Sequence, residues 1–389
     1  MVERAISFGG VGAGLLLLTL AVSPGLCGQP QRGPRIVSPE IHSNNTVTFR
    51  IMAPKASEVR IRGEWMQGFG TSEALTPSDS GLWSVTVGPL TPEFYGYSFL
   101  VDSVQVLDPL NGLIKRDGVR NASVLLVPGE ESDLYAVKDV PHGTLSKVWY
   151  PSPTLNMTRR MYVYTPPGYE ESSDSYPVFY LLHGGGGDED AWTTLGRAPQ
   201  ILDNLIAAGA ARPMIVVMTN GNAYQAAGPG DAPAVTGDAP QTPMDRSQYA
   251  GKFEASLVGD VVPYVESHYR VVANKENRAI AGLSMGGGHT INTTNRNPGV
   301  FGYIGVFSAG VREPDETFGQ QLDALKESGV DLYWIGCGAD DFLHESAQTL
   351  LSILDEHEFE HTYYESSGGH TWANWRIYLS VFAPQLFKH

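Results

Sequence analysis

The chain has 389 residues, long for one domain and comfortable for two. With 42% hydrophobic and 17% charged residues it has the apolar content of a folded protein, which excludes wholesale disorder. A formal charge of −16 and a pI near 5.0, with no basic run anywhere, argue against a nucleic-acid partner, because phosphate binding relies on clustered Lys and Arg.

The first 28 residues read as an export signal. Arg4 supplies the positive end, residues 11–22 form a Leu-rich apolar run, and the small residues Ser23, Gly25 and Gly28 follow. The run is too short for stable membrane insertion, so the expectation is a secreted or periplasmic protein. A lipid anchor at Cys27 is the weaker alternative, because the small residue wanted just before that Cys is missing. Cleavage near Cys27 leaves Cys337 alone, in an apolar strand, with no intrachain disulfide to form.

Residues 34–135 read as all-β. Residues 46–51, 58–61, 82–87 and 95–101 alternate apolar with polar side chains, and Gly, Pro, Asn and Asp punctuate between them. Short strands at this spacing predict a small β-sandwich. The stretch 128–142, rich in Glu, Asp, Ser and Pro, has the composition of a linker.

From residue 144 to 389 the pattern changes. Continuous apolar strands are predicted at 178–182, 214–218, 278–283, 303–308 and 332–337, with amphipathic helices such as 253–268 and 346–357 between them. Strands of this kind alternating with helices indicate a mostly parallel sheet covered on both faces. The segment 226–243, rich in Ala, Gly and Pro, reads as a long loop that could border a site.

The chemistry-bearing signals all fall in this second region. Gly282-Leu283-Ser284-Met285-Gly286 follows a predicted strand and precedes a helix, the setting of a nucleophile elbow. There the strained turn lifts Ser284 Oγ clear of the sheet, and the helix aims N–H groups at a developing oxyanion. The strand 178–182 runs into His183-Gly184-Gly185-Gly186-Gly187, the expected other half of an oxyanion hole, so the backbone N–H groups of Gly185 and Met285 are the candidate donors. The glycine run lacks the Lys-Ser/Thr ending of a phosphate loop.

In chain order an acid and then a histidine should follow. Asp340 and Asp341 both stand at the end of strand 332–337, and His370 follows the predicted strand 362–365. Loops at the carboxyl ends of strands are where open α/β sheets bind ligands. The pattern calls for no metal and no cofactor: there is no His-Glu-x-x-His and no paired Cys.

The residues 162–169 (Tyr-Val-Tyr-Thr-Pro-Pro-Gly-Tyr), Leu181-Leu182-His183-Gly184, the elbow, and Gly369-His370-Thr371-Trp372 together resemble carbohydrate esterase family 1. That family includes feruloyl, acetylxylan and enterochelin-type esterases. In it the acid closes a Gly-x-x-Asp, which selects Asp341 over Asp340. The N-terminal half resembles a family 48 carbohydrate-binding module, an early-set immunoglobulin-like domain, through Gly63-Glu64-Trp65, Gly81-Leu82-Trp83 and Asp108-Pro109.

The two resemblances imply an α/β-hydrolase behind a small immunoglobulin-like sandwich, with feruloylated arabinoxylan or its oligosaccharides as the partner. Trp192, Tyr224 and Trp372, with Trp375, lie near the predicted loops and are candidates for an aromatic acyl site. Trp65 and Trp83 are either sugar-binding aromatics or core. An acetylxylan esterase, a siderophore esterase, and a carbohydrate-binding protein with a silent hydrolase domain are the competing readings.

Overall fold

The computed structural model describes residues 36–68, 70–232, 246–314 and 316–388. The export segment, Cys27 and the far end of the loop 226–243 lie outside the described residues. Residues 37–389 form one compact unit.

The N-terminal strands make two antiparallel sheets. One orders Glu40–Ile41, Val47–Met52, Leu82–Val87 and Thr76–Pro77. The other orders Glu73–Ala74, Val59–Gly63, Glu93–Val101, Arg120–Val127 and Ile114–Asp117, with Val104–Val106 paired to Glu93–Val101. Val47, Phe49 and Ile51 of the first face Val59, Ile61, Tyr97 and Phe99 of the second in one shared core. Trp83 donates its indole N–H to Ala53 O at 2.9 Å, and Trp65 stacks on Phe49 with centroids 5.4 Å apart. Trp83 is therefore a core residue of the sandwich, and Trp65 is a partly buried residue packed against that core.

The strand Glu93–Val101 is buried without interruption from Phe94 to Phe99. An antiparallel strand with one wet face would alternate, so unbroken burial means that both faces are covered. Tyr95, Tyr97 and Phe99 face the sandwich, while Phe94 and Val124 join Tyr135, Tyr162, Phe179 and Trp192 in a second core. The segment read as a linker is part of this junction. It forms a short 3-10 turn, Ser132–Leu134, and Tyr135 behind it is 1% exposed.

The eight-stranded sheet orders Thr144–Ser152, Met157–Thr165, Ile215–Thr219, Val178–Leu182, Arg278–Leu283, Tyr303–Phe307, Leu332–Gly338 and Thr362–Ser366. The first pairings are antiparallel and all from Val178–Leu182 onward are parallel. Its apolar faces supply two cores, one under the helix Met285–Arg296 and one under Trp372–Phe382. The helix expected at 253–268 is interrupted. Lys252–Ser256 passes through a π-turn at Leu257–Val261 into Val262–His268. Pro263, which has no N–H to donate, sits just past that turn. With the sheet covered by helices, the fold is that of an α/β-hydrolase behind an all-β region, as the sequence led us to expect.

Candidate active site

Ser284 sits between the strand Arg278–Leu283 and the helix Met285–Arg296 with φ 52° and ψ −115°, a conformation that is strained for a residue with a Cβ. The surrounding glycines allow it. A Cβ on Gly282 would fall 2.3 Å from the backbone of Gly286, and one on Gly286 would fall 2.6 Å from His183 O. The backbone is fixed by Ser284 N–H donating to Phe307 O at 2.8 Å and Gly288 N–H donating to Ser284 O at 3.0 Å.

Ser284 Oγ lies 2.9 Å from His370 Nε2, and His370 Nδ1 lies 2.9 and 3.0 Å from the two carboxylate oxygens of Asp341. A carboxylate only accepts, so Nδ1 carries the proton and Nε2 presents its lone pair to the serine hydroxyl. Asp341 is 4% exposed and also accepts the Leu343 N–H at 2.9 Å. Asp340, the other candidate acid, is exposed.

Backbone bonds lock the acid and histidine loops together. Ala339 N–H donates to Ser366 O and Asp340 N–H to Gly368 O, while a Cβ on Gly338 would meet Gly368 O at 2.3 Å. Asn374, which the sequence reading missed, donates its amide to Ser367 O and Gly369 O and so pins the turn before His370. Trp375 meets the His370 ring edge-on at 5.0 Å, and the 69% exposed Phe342 covers it from another side at 4.3 Å.

The glycine loop is held by His183. Its Nδ1–H donates to Gly184 O at 2.8 Å, and its Nε2 accepts the Gly221 N–H at 2.7 Å. Complete burial pulls the imidazole pKa down to about 4, so the ring is neutral, as this donor-acceptor pair requires. Gly184 lies against the elbow: a Cβ there would be 3.3 Å from Ser284 Cβ. Among the described residues, neither Gly185 nor Met285 donates its N–H to a backbone carbonyl. Met285 opens the helix behind Ser284, and Gly185 lines the cavity in front of it.

That cavity measures about 520 Å³. Ser284, His370, Gly184, Gly185, Trp372 and Trp375 line one part of it, and Glu64, Glu93, Phe94, Tyr95, Lys115 and Asp117 line another. The second set comes from the N-terminal sheets, and no local signal in the sequence marks it.

Two of the three aromatic candidates do not reach the cavity. Trp192 is 1% exposed and spends its indole N–H on Leu182 O, so it is a core residue that backs Trp372 edge-on at 5.3 Å. Tyr224 packs against Tyr249 on the loop side and does not line the cavity. Trp372 does line it.

Residues 152–334 match the profile of a family described as "Putative esterase". An endo-1,4-beta-xylanase/feruloyl esterase of Xylanibacter ruminicola is 32% identical over 368 residues, covering 92% of this chain and 47% of that protein. The chain spans about half or less of the length of the curated relatives it matches first. A CE1 ferulic acid esterase from Anaeromyces mucronatus, solved in complex with ferulic acid, superposes with a TM-score of 0.56 at 26% identity. The match covers 67% of this chain and 96% of that one. The enterobactin esterase of Shigella flexneri, at 15% identity and a TM-score of 0.59 over 88% of this chain and 93% of that one, shares the fold alone. Residues 152–334 of this chain are thus similar to the esterase family, on an α/β-hydrolase fold.

Proposed function

We propose that the protein is a serine carboxylic-ester hydrolase that releases feruloyl and related hydroxycinnamoyl groups from arabinoxylan. The observation that carries the reading is the hydrogen-bonded row Ser284–His370–Asp341 opening onto a cavity walled by Phe94, Trp372 and Trp375. A volume near 520 Å³ is far more than an acetyl group fills, and flat aromatic walls suit a flat aromatic acyl chain. The relatives whose names include feruloyl or ferulic acid esterase support the same substrate class.

In this mechanism His370 Nε2 takes the Ser284 proton as Oγ attacks the ester carbonyl. The N–H groups of Gly185 and Met285 hold the oxyanion. The sugar alcohol leaves with the proton from His370, and a water activated by the same nitrogen then frees the acid from the acyl-serine. Asp341 keeps the Nδ1 proton in place and stabilises the imidazolium. Secretion would bring the enzyme to its polymer.

A siderophore esterase would use the same row of residues. The cavity lining, however, sets Glu64, Glu93 and Asp117 against Lys115 and Arg376, and Lys115 and Arg376 are ion-paired to Glu64 and Glu93. That lining holds no surplus of cations to attract an anionic catecholate.

The test is to assay purified protein on methyl ferulate, p-nitrophenyl acetate and a siderophore ester in parallel, with Ser284→Ala alongside. Methyl ferulate should give the highest kcat/KM, and Ser284→Ala should lower kcat by about 10⁴-fold or more while the fold stays intact. An Ala variant that keeps over about a tenth of the activity, far above the loss known for such nucleophiles, would remove Ser284 from the mechanism.

A further inference from the structure

The strand Ile114–Asp117 carries its pattern the wrong way round for a sandwich edge. Ile114 is 48% exposed, whereas Lys115 beside it is 5% exposed. Side chains alternate along a strand, so one face takes the apolar residue into solvent and the other buries an ammonium. The face that carries Lys115 lines the acyl cavity: the buried Lys115 and the exposed Asp117, two residues apart, both contribute to its wall.

Lys115 Nζ donates to Glu64 Oε2 at 2.7 Å. The same oxygen accepts the Gly96 N–H at 2.6 Å, which fixes the carboxylate that aims the ammonium. Phe94, another wall residue, has its ring centroid 5.8 Å from Nζ. Burial pulls the Lys115 pKa down, and Glu64 pulls it back up. An ammonium has three N–H donors, and a buried donor without an acceptor is costly. A bond to Glu64 uses one of the three. Lys115 lines a cavity that an acyl group would empty of water, so its other donors need an acceptor there.

We propose that Lys115, aimed by Glu64, hydrogen-bonds an oxygen substituent on the aromatic ring of the acyl group. Selectivity for oxygenated cinnamoyl esters is then set by the N-terminal sheets and lies outside the residues that match the esterase family. This rests on the feruloyl reading above. A phenolic hydroxyl can accept from Nζ and donate to a Glu64 oxygen, and a methoxy oxygen can accept from Nζ. An unsubstituted cinnamoyl ring can do neither.

The experiment measures kcat and KM on methyl ferulate, methyl 4-hydroxycinnamate and methyl cinnamate, with p-nitrophenyl acetate as a fourth substrate. The proteins are the full chain, Lys115→Met and Lys115→Arg, each with a melting curve. The full chain should favour the two oxygenated esters over methyl cinnamate by about ten- to a hundredfold in kcat/KM, the span of one charge-assisted hydrogen bond. Lys115→Met should collapse that ratio to within about threefold, chiefly through KM, and Lys115→Arg should keep most of it, since its donor survives. If Lys115→Met melts too early to assay, Glu64→Gln on the half-exposed partner serves instead and should lower the same ratio.

A ratio that stays constant while all esters fall together makes Lys115 a structural ion pair and overturns the inference. Wild-type cleavage of all three cinnamates without preference overturns it too, leaving the feruloyl reading standing. Cleavage of p-nitrophenyl acetate with none of the cinnamates overturns both.

Discussion

Asp340 and Asp341 are neighbours with opposite surroundings, and the difference decides what each can do. Asp341 holds the Nδ1 proton of His370 with both oxygens from a buried position, while Asp340 is exposed and joins the histidine loop through its backbone. Asp341→Asn should therefore lower kcat on methyl ferulate by about 10⁴-fold, since the amide no longer selects the productive tautomer. Asp340→Asn should change kcat by no more than about threefold, as exposed substitutions do. A larger loss from the Asp340 change would reverse the assignment. His183 lends itself to a different measurement. Its pKa in the folded protein, pulled down to about 4 by burial, lies below the value of about 6.5 expected in the unfolded chain. Between these values the unfolded chain binds the proton and the folded protein does not. Stability is therefore fully present above about pH 6.5 and is lost as pH falls toward 4, by on the order of 3 kcal/mol. His183→Gln, which can still bond Gly184 O and the Gly221 N–H, should remove that part of the pH dependence. Urea unfolding of both proteins between pH 4 and 7 checks it, and parallel curves would show that His183 is not the group responsible.

At the scale of single elements, the elbow ties stability to geometry. Gly282→Ala places a methyl group against the backbone of Gly286, with no flexible side chain to move aside, so strand and helix must separate. A loss of about 1–3 kcal/mol is expected, with a fall in kcat as Ser284 shifts. Gly288→Ala, two residues after Gly286 in the helix Met285–Arg296, meets nothing within 4 Å and should raise stability by about 0.5–1 kcal/mol. Thermal melts of the two variants should move in opposite directions, and equal shifts would refute the packing argument. The same element was plain in the sequence because its signal is local. Parallel strands buried on both faces are continuous apolar runs, which is why Val178–Leu182 and Arg278–Leu283 were legible, and the loops behind them followed in order to Asp341 and His370. The aromatic residues were not legible in the same way. A Trp near a predicted loop reads the same whether it faces a substrate or, like Trp192, closes a core by bonding Leu182 O. Least legible was the hairpin of Ile114–Asp117 with Arg120–Val127. Its cavity-facing strand is polar and inverted, and its partners, such as Asp188 for Arg116, lie 72 residues away in the chain.

Among the described residues, polar contacts add to the shared apolar core in joining the N-terminal sheets to the eight-stranded sheet and its helices. Arg376, 1% exposed in the last long helix, donates to Glu93 Oε1 at 2.7 Å and to Leu195 O at 2.9 Å, between the rings of Phe94 and Tyr135. Arg197 donates to Tyr135 O, and Arg116 reaches Asp188 just past the glycine loop. If residues 34–135 were a separable targeting module, deleting them would spare hydrolysis of methyl ferulate and lower only the release of ferulate from arabinoxylan, since tethering acts through local concentration. The contacts argue otherwise. Deletion removes one wall of the cavity and uncovers Trp192, Tyr162 and their neighbours in the shared core, so activity on both substrates should fall and the melting temperature with it. Glu93→Ala tests the same junction in the full chain. It leaves the buried Arg376 without its carboxylate, at a cost of about 3 kcal/mol, and should lower stability and soluble-ester activity together. A truncated protein that melts like the full chain and cleaves methyl ferulate at the full rate would show that the two regions are independent, with the N-terminal sheets serving only to bring the enzyme to its polymer.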